Sequence, residues 1–293
     1  MQIQSLSIVI PTKRCINDCP FCVSKMHDNN YANNGFDIVK IQRRLKYALN
    51  NGVSTVILSG TGEALQNKSY LQELDLLFRD MGHPFPNIEL QTTGVLLLKQ
   101  TFGQTTYTDR YPNLEILQSL GISTISLSVS DIFNDKNNME IIGVPTHARF
   151  DLEHLIGILK EKGFNIRLSL NMIKKYDQYR PEKIIERVKE LDPDQVTFRK
   201  LYDGGSPCDE DVWVRNNRCD DNLLHKISQW IRKYGSKLYS LPYGPIAYSI
   251  EGMSTVLDND CMGKEGDETL KYLILRENGK LYCRWDDKGS LIF

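Results

Sequence analysis

Short apolar runs and helical stripes alternate along most of the chain. The run LSIVI (6–10) is rich in β-branched residues and closed by Pro11, which reads as a buried strand. Further on, DIVKIQRRLKYALNNG sets Ile38, Ile41, Leu45 and Leu49 at helical spacing, with Asp37 placed to cap the start and Gly52 beyond the end. Strand, loop and helix make a first unit, and the unit recurs. VSTVILSG (53–60) precedes YLQELDLLFRDMG, IELQTTG (88–94) precedes helical stretches up to Gly121, and STISLSVS (123–130) precedes FDLEHLIGILKEKG. NIRLSLNMI (165–173) then precedes PEKIIERVKELD, and QVTFRKLY (195–202) closes the series. Six strands alternating with helices predict an α/β fold with a parallel sheet and right-handed crossovers, either an open doubly wound sheet or a barrel.

After Tyr202 the rhythm changes. DGGSPCDEDVWVRNNRCDDN is polar and turn-rich, LLHKISQWIRKYG reads as a helix, and KYLILRENGKLYCRW places Asn278-Gly279 between two apolar runs, a strong hairpin signal. This predicts a boundary near 203, with residues 1–202 as the main domain and 203–293 as a small α+β extension.

A chain of 293 residues accommodates one α/β barrel with an appendage. Hydrophobic residues make up 41% and charged residues 25%, with 36 basic against 37 acidic side chains, so neither disorder nor a polyanion-binding surface is indicated and nothing points to nucleic acid. MQIQSLSIVIP lacks the marks of a secretory leader and no apolar run approaches a membrane span, so the expected location is the cytoplasm. Seven cysteines, an odd number without a secretion signal, favour metal or redox chemistry over a disulfide framework.

Three of the seven, Cys15, Cys19 and Cys22, share one loop leaving the first strand. Three thiolates can hold a [4Fe-4S] cluster and leave one iron open to a small molecule. Cys15, Cys19, Cys22 and His27 could equally form a zinc site, and the spacing alone does not choose between them. The second strand ends in LSGTGEALQ. Gly60 and Gly62 there let a ligand approach the backbone, and Glu63 can accept from an ammonium.

CINDCPFC, with Phe21 as the aromatic residue before the last cysteine, together with GTGE on the next strand, resembles the radical SAM superfamily. The resemblance implies a partial (β/α)6 TIM-like barrel over about the first 200 residues. It implies a [4Fe-4S] cluster on Cys15, Cys19 and Cys22 whose free iron is chelated by S-adenosylmethionine (SAM), with Gly60, Gly62 and Glu63 at the SAM amino group. Thr93, Ser128 and Asn171, at the ends of later strands, match polar SAM-binding positions of the family, although such residues also serve as turn or cap residues. The implied activity is reductive cleavage of SAM to a 5′-deoxyadenosyl radical, which abstracts hydrogen from a peptide or a nucleotide-like small molecule, with a low-potential donor such as flavodoxin or ferredoxin as partner.

Arg167 and Arg199, on the fifth and sixth strands, could hold a substrate phosphate or carboxylate, or form salt bridges at the rim. The segment from Cys261 through Gly279 to Cys283 resembles the start of the twitch or SPASM extensions of some radical SAM enzymes, but no closely spaced cysteine pair follows. Cys208 and Cys219 could complete a four-thiolate auxiliary [4Fe-4S] cluster with Cys261 and Cys283, or some of these cysteines could be buried small hydrophobes. Two alternatives of other kinds are an activase that makes a radical on a partner protein and a zinc-binding interaction module. The second would explain the cysteines but not the GTGE strand end.

Overall fold

The structure, a computed structural model, describes residues 2–27, 31, 33–99, 111–241, 245–258 and 269–293. Its elements in chain order are β1 (Gln2–Ile10), α1 (Val23–Met26), α2 (Ile38–Asn50), β2 (Thr55–Gly60), α3 (Lys68–Asp80), β3 (Asn87–Thr92), α4 (Pro112–Ser119), β4 (Thr124–Val129), α5 (Asp135–Ile141) and α6 (Leu152–Glu161). There follow β5 (Asn165–Met172), α7 (Pro181–Glu190), β6 (Gln195–Lys200), α8 (Asp209–Asn217), α9 (Asp221–Tyr234), β7 (Ser236–Ser240), β8 (Ile246–Ile250), β9 (Met253–Asp258), β10 (Thr269–Leu275) and β11 (Leu281–Tyr282). All six strands expected from the sequence are present.

Contacts group the chain into two units that interleave in sequence: residues 1–17, 28–125 and 265–293 form one, and 18–27 with 126–264 the other. In the first unit the strand order is β11-β10-β1-β2-β3. β1 pairs in parallel with both β2 and β10, and β2 in parallel with β3. Ile8, Val9 and Ile10 are all fully buried, as expected of a parallel strand covered on both faces. Asp37 caps α2 by accepting from the Lys40 N–H at 3.0 Å, and Ile41, Leu45 and Ala48 face inward. Ile38, counted with that stripe from spacing, is instead 51% exposed at the first helical position. At the start of α3, Asn67 accepts from the Tyr70 N–H and donates to the Pro11 carbonyl at 2.7 Å, tying the helix to the end of β1.

β10 and β11 form the hairpin signalled by Asn278-Gly279. The loop has three residues, 277–279, because Arg276 and Lys280 are the hydrogen-bonded pair that closes it, with Gly279 at φ +70°; this is the turn with a left-handed third residue that suits the strand twist. Arg276 is buried, its guanidinium 4.5 Å from the Tyr31 ring and 4.5 Å from the Trp285 ring.

The second unit contains β5-β6-β9-β8-β7. β5, β6 and β9 run parallel, and the meander β9-β8-β7 is antiparallel. α8 lies in the stretch that composition marks as turn-rich. Asp209, Glu210 and Asp211 fill its first turn, where the helix dipole favours acidic groups. Buried Asp211 accepts from the backbone of Gly204 and Ser206 and so folds the preceding loop onto the helix. Among the described residues no helix is long and apolar enough to cross a membrane.

Candidate cofactor site

The cysteine loop starts in the first unit, where it leaves β1. Its backbone is held by Gln66, three residues past GTGE: the Gln66 side chain accepts from the Ile16 N–H and donates to the Arg14 carbonyl, both at 2.9 Å. The Asn17 N–H in turn points at Cys15 Sγ, 3.4 Å away. Gly60, the last residue of β2, and Gly62 just after it receive this loop. A Cβ on Gly62 would lie 2.6 Å from Thr12 Oγ1 and 3.1 Å from Cys15 Cα, and one on Gly60 would lie 2.9 Å from the carbonyl oxygens of Ile10 and Gly62. The glycines of GTGE are therefore required by the close approach of Cys15 and of neighbouring backbone.

Glu63 is 5% exposed and already engaged. Its Oε1 accepts from the Thr93 N–H at 2.9 Å, Thr93 Oγ1 at 2.6 Å and Asn17 Nδ2 at 3.2 Å, while Oε2 accepts from Thr92 Oγ1 at 2.5 Å. One carboxylate thus joins the cysteine loop to the end of β3. Thr93 is brought to Glu63 as well as to Asn17, whose Nδ2 lies 2.8 Å from Thr93 Oγ1.

The rest of the loop belongs to the second unit. The Asp18 N–H donates to the Ile142 carbonyl at 3.2 Å, and the Cys19 thiol lies 3.5 Å from the same oxygen. Lys25 donates to Asp18 at 2.5 Å and to the Cys19 carbonyl at 3.3 Å; the Asp18 bond raises the Lys25 pKa against a smaller opposing effect of burial. Phe21 packs on Trp213 of α8, ring centres 5.5 Å apart. Cys22 stands at the N-cap of the short helix α1.

Gly143, not singled out from the sequence, carries the loop here. It has φ +66°, and a Cβ on it would lie 2.8 Å from the Asp18 nitrogen and 3.0 Å from its Cα. Its only sequence signal is a glycine just past a helix, the ordinary mark of a C-cap. Gly143→Ala is expected to lower the melting temperature and the iron retained after anaerobic reconstitution, because left-handed strain of roughly 1 kcal/mol combines with a clash against backbone that cannot rotate away. Wild-type iron content and melting in this variant would refute the bracing role.

Ser128 and Asn171 are brought together in the second unit. Asn171, 3% exposed, donates to Ser128 Oγ at 3.1 Å and to Ser130 Oγ at 3.3 Å. Of the two arginines, Arg167 donates to Gln195 at 2.8 Å, whereas Arg199 has a buried Nε without a hydrogen-bond partner.

Of the remaining cysteines, Cys208, Cys219 and Cys283 lie among the described residues. Cys208 caps the start of α8 and Cys219 follows its end. At 1.5 Å rise per residue, the nine residues of α8 put about 13.5 Å of helix between them. Cys219 is also 3% exposed, and burial pushes its thiol up to about 12, as in a core cysteine. Cys283 lies just past β11, its thiol 3.5 Å from the Ser290 carbonyl, and Cys261 lies outside the described residues. No disulfide joins the six described cysteines. Among the described residues no three His, Cys, Asp or Glu side chains are arranged to enclose a single metal ion. His27 packs on Tyr202, with ring centres 5.8 Å apart.

These residues suit an iron–sulfur cluster with SAM: the half-buried thiols of Cys15, Cys19 and Cys22 follow β1, and a glycine cradle at the end of β2 would be filled by any Cβ. The family comparison agrees. The radical SAM superfamily model matches residues 9–188. The chain belongs to the radical SAM superfamily, a family of enzymes whose members carry a [4Fe-4S] cluster and SAM. No curated protein matches the sequence.

Among solved structures, native anSMEcpe with bound AdoMet and Kp18Cys peptide is 14% identical over 99% of this chain and 77% of its own, with a TM-score of 0.64. The same protein with Cp18Cys peptide gives 14%, 98%, 75% and 0.61. Coproporphyrinogen III oxidase (HemN) from Escherichia coli, a radical SAM enzyme, is 14% identical over 88% of this chain, which spans 63% of that enzyme's length, with a TM-score of 0.49. The likeness to the first two shows a shared fold, the α/β class with mostly parallel strands expected from the strand–helix rhythm.

Proposed function

We propose that this protein binds a [4Fe-4S] cluster through Cys15, Cys19 and Cys22 and uses it to cleave SAM reductively, abstracting hydrogen from a peptide or nucleotide-like small molecule in the cytoplasm. The observation that carries this is the seating of Cys15 on Gly62, which leaves no room for a side chain between the first cysteine and the strand end that follows. Bound there, the cluster and SAM supply a 5′-deoxyadenosyl radical, made with one electron from a low-potential donor such as flavodoxin or ferredoxin.

The chain's own residues do the positioning. Gly60 and Gly62 let the ligand lie against backbone, Glu63 and Thr93 set the polarity near its amino end, and Ser128 with Asn171 offers hydroxyl and amide groups for its ribose or carboxylate. The buried, unpartnered Nε of Arg199 suits an anionic group on the substrate. A peptide substrate is further supported by the likeness to anSMEcpe, whose structure holds a peptide.

Protein purified without oxygen and given SAM and a strong reductant is expected to be brown and to release 5′-deoxyadenosine, detected by mass. Zinc alone after reconstitution, with no 5′-deoxyadenosine, would overturn the proposal.

A further inference from the structure

Asn17 stands between the first two cysteines and is 5% exposed. Its Nδ2 has two acceptors, Glu63 Oε1 at 3.2 Å and Thr93 Oγ1 at 2.8 Å. The orientation of the amide follows from these partners. A carboxylate oxygen can only accept here, and the Thr93 hydroxyl, having given its one proton to Glu63 Oε1 at 2.6 Å, can only accept from Asn17. The nitrogen must therefore face Glu63 and Thr93, and the oxygen the other way. That oxygen, Oδ1, is buried and accepts no hydrogen bond. A buried acceptor left empty costs about 1–3 kcal/mol, so native proteins rarely keep one without a use. Among the described residues, of the buried side-chain atoms lacking a partner, this one alone lies between cluster cysteines, on a residue fixed by the GTGE glutamate.

We propose that Asn17 Oδ1 accepts a hydrogen bond from the α-amino group of SAM, and that Glu63 acts mainly as the positioning residue that turns the amide toward it. This rests on the radical SAM reading above. It shifts the direct contact from a carboxylate whose Oε1 already takes three donors to a neutral amide oxygen that takes none. A neutral acceptor suits the role, because an amine that chelates iron is uncharged and offers N–H donors without a positive charge to neutralise.

The test measures equilibrium binding of two probes, SAM and its analogue with hydrogen in place of the α-amino group, to anaerobically reconstituted wild type and Asn17→Leu, with iron content and melting temperature recorded. The wild-type preference for SAM over the analogue should fall about five-fold or more in Asn17→Leu, the size of one hydrogen bond, while affinity for the analogue barely changes. An unchanged preference, or an equal loss for both probes, would overturn the assignment. If Asn17→Leu fails to hold iron, Asn17→Gln keeps the amide but moves its oxygen by one methylene, and its preference should fall in the same way; a wild-type preference there would overturn the assignment equally. Wild type that holds no iron or binds no SAM would overturn the radical SAM reading itself, whereas normal binding with an unchanged preference would remove only the role of Asn17.

Discussion

Replacing Cys15, Cys19 and Cys22 together by Ala is expected to remove all iron, about four atoms per chain, and to abolish release of 5′-deoxyadenosine, while the protein stays folded. Folding should survive because the three side chains are only half-buried and the loop backbone is held by other groups: Gln66 bonds Arg14 and Ile16, and the Ile142 carbonyl bonds the Asp18 N–H. Iron and sulfide analysis with a melting curve checks this. The number of irons left also tests a second cluster. With Cys208 and Cys219 held at opposite ends of α8, no centre is expected that uses both thiolates. About four residual irons in the triple variant would show that the other cysteines assemble a cluster in spite of that separation.

Glu63→Ala is expected to have the second largest effect, on stability and on SAM affinity together. Removing the carboxylate strands three donors, Thr92 Oγ1, Thr93 Oγ1 and the Thr93 N–H, with Thr92 almost fully buried, and leaves Asn17 Nδ2 only the Thr93 hydroxyl to hold it. At about 1 kcal/mol each, the lower end for unsatisfied groups, unfolding should become about 3 kcal/mol easier. The freed Asn17 would no longer be oriented, so SAM should bind about ten-fold or more weakly, with iron still present below the melting transition. Chemical denaturation and SAM titration measure the two effects. Wild-type stability would contradict the network, and wild-type SAM affinity would remove Glu63 from the site.

Arg199 shows where sequence and structure each stop. Its place on the sixth strand is legible from the βα rhythm, but only packing reveals that its Nε is buried without a partner while Arg167, equally basic and equally placed by pattern, donates to Gln195.

The sequence alone determined the local elements and the chemistry of the loop. Apolar period and Gly or Pro punctuation depend on neighbours a few residues apart, so the six strands, the capped helix after Asp37 and the Asn278-Gly279 hairpin were readable. The three cysteines and GTGE were readable for the same reason: each is a short spacing tied to one chemical need. Tertiary structure decided what depends on distant partners. β10 lies beside β1 and β9 beside β6, and no periodicity reports that, because an alternating strand carries the same pattern whichever neighbour it meets. α8 was hidden by its acidic, polar composition, and with it the separation of Cys208 from Cys219. The use of Glu63 was hidden too. A carboxylate after two glycines reads as a ligand group, and only the fold brings Asn17, Thr92 and Thr93 to it and Gly143 against Asp18, since a buried hydrogen bond or a missing Cβ acquires meaning from the atoms that fill the space around it.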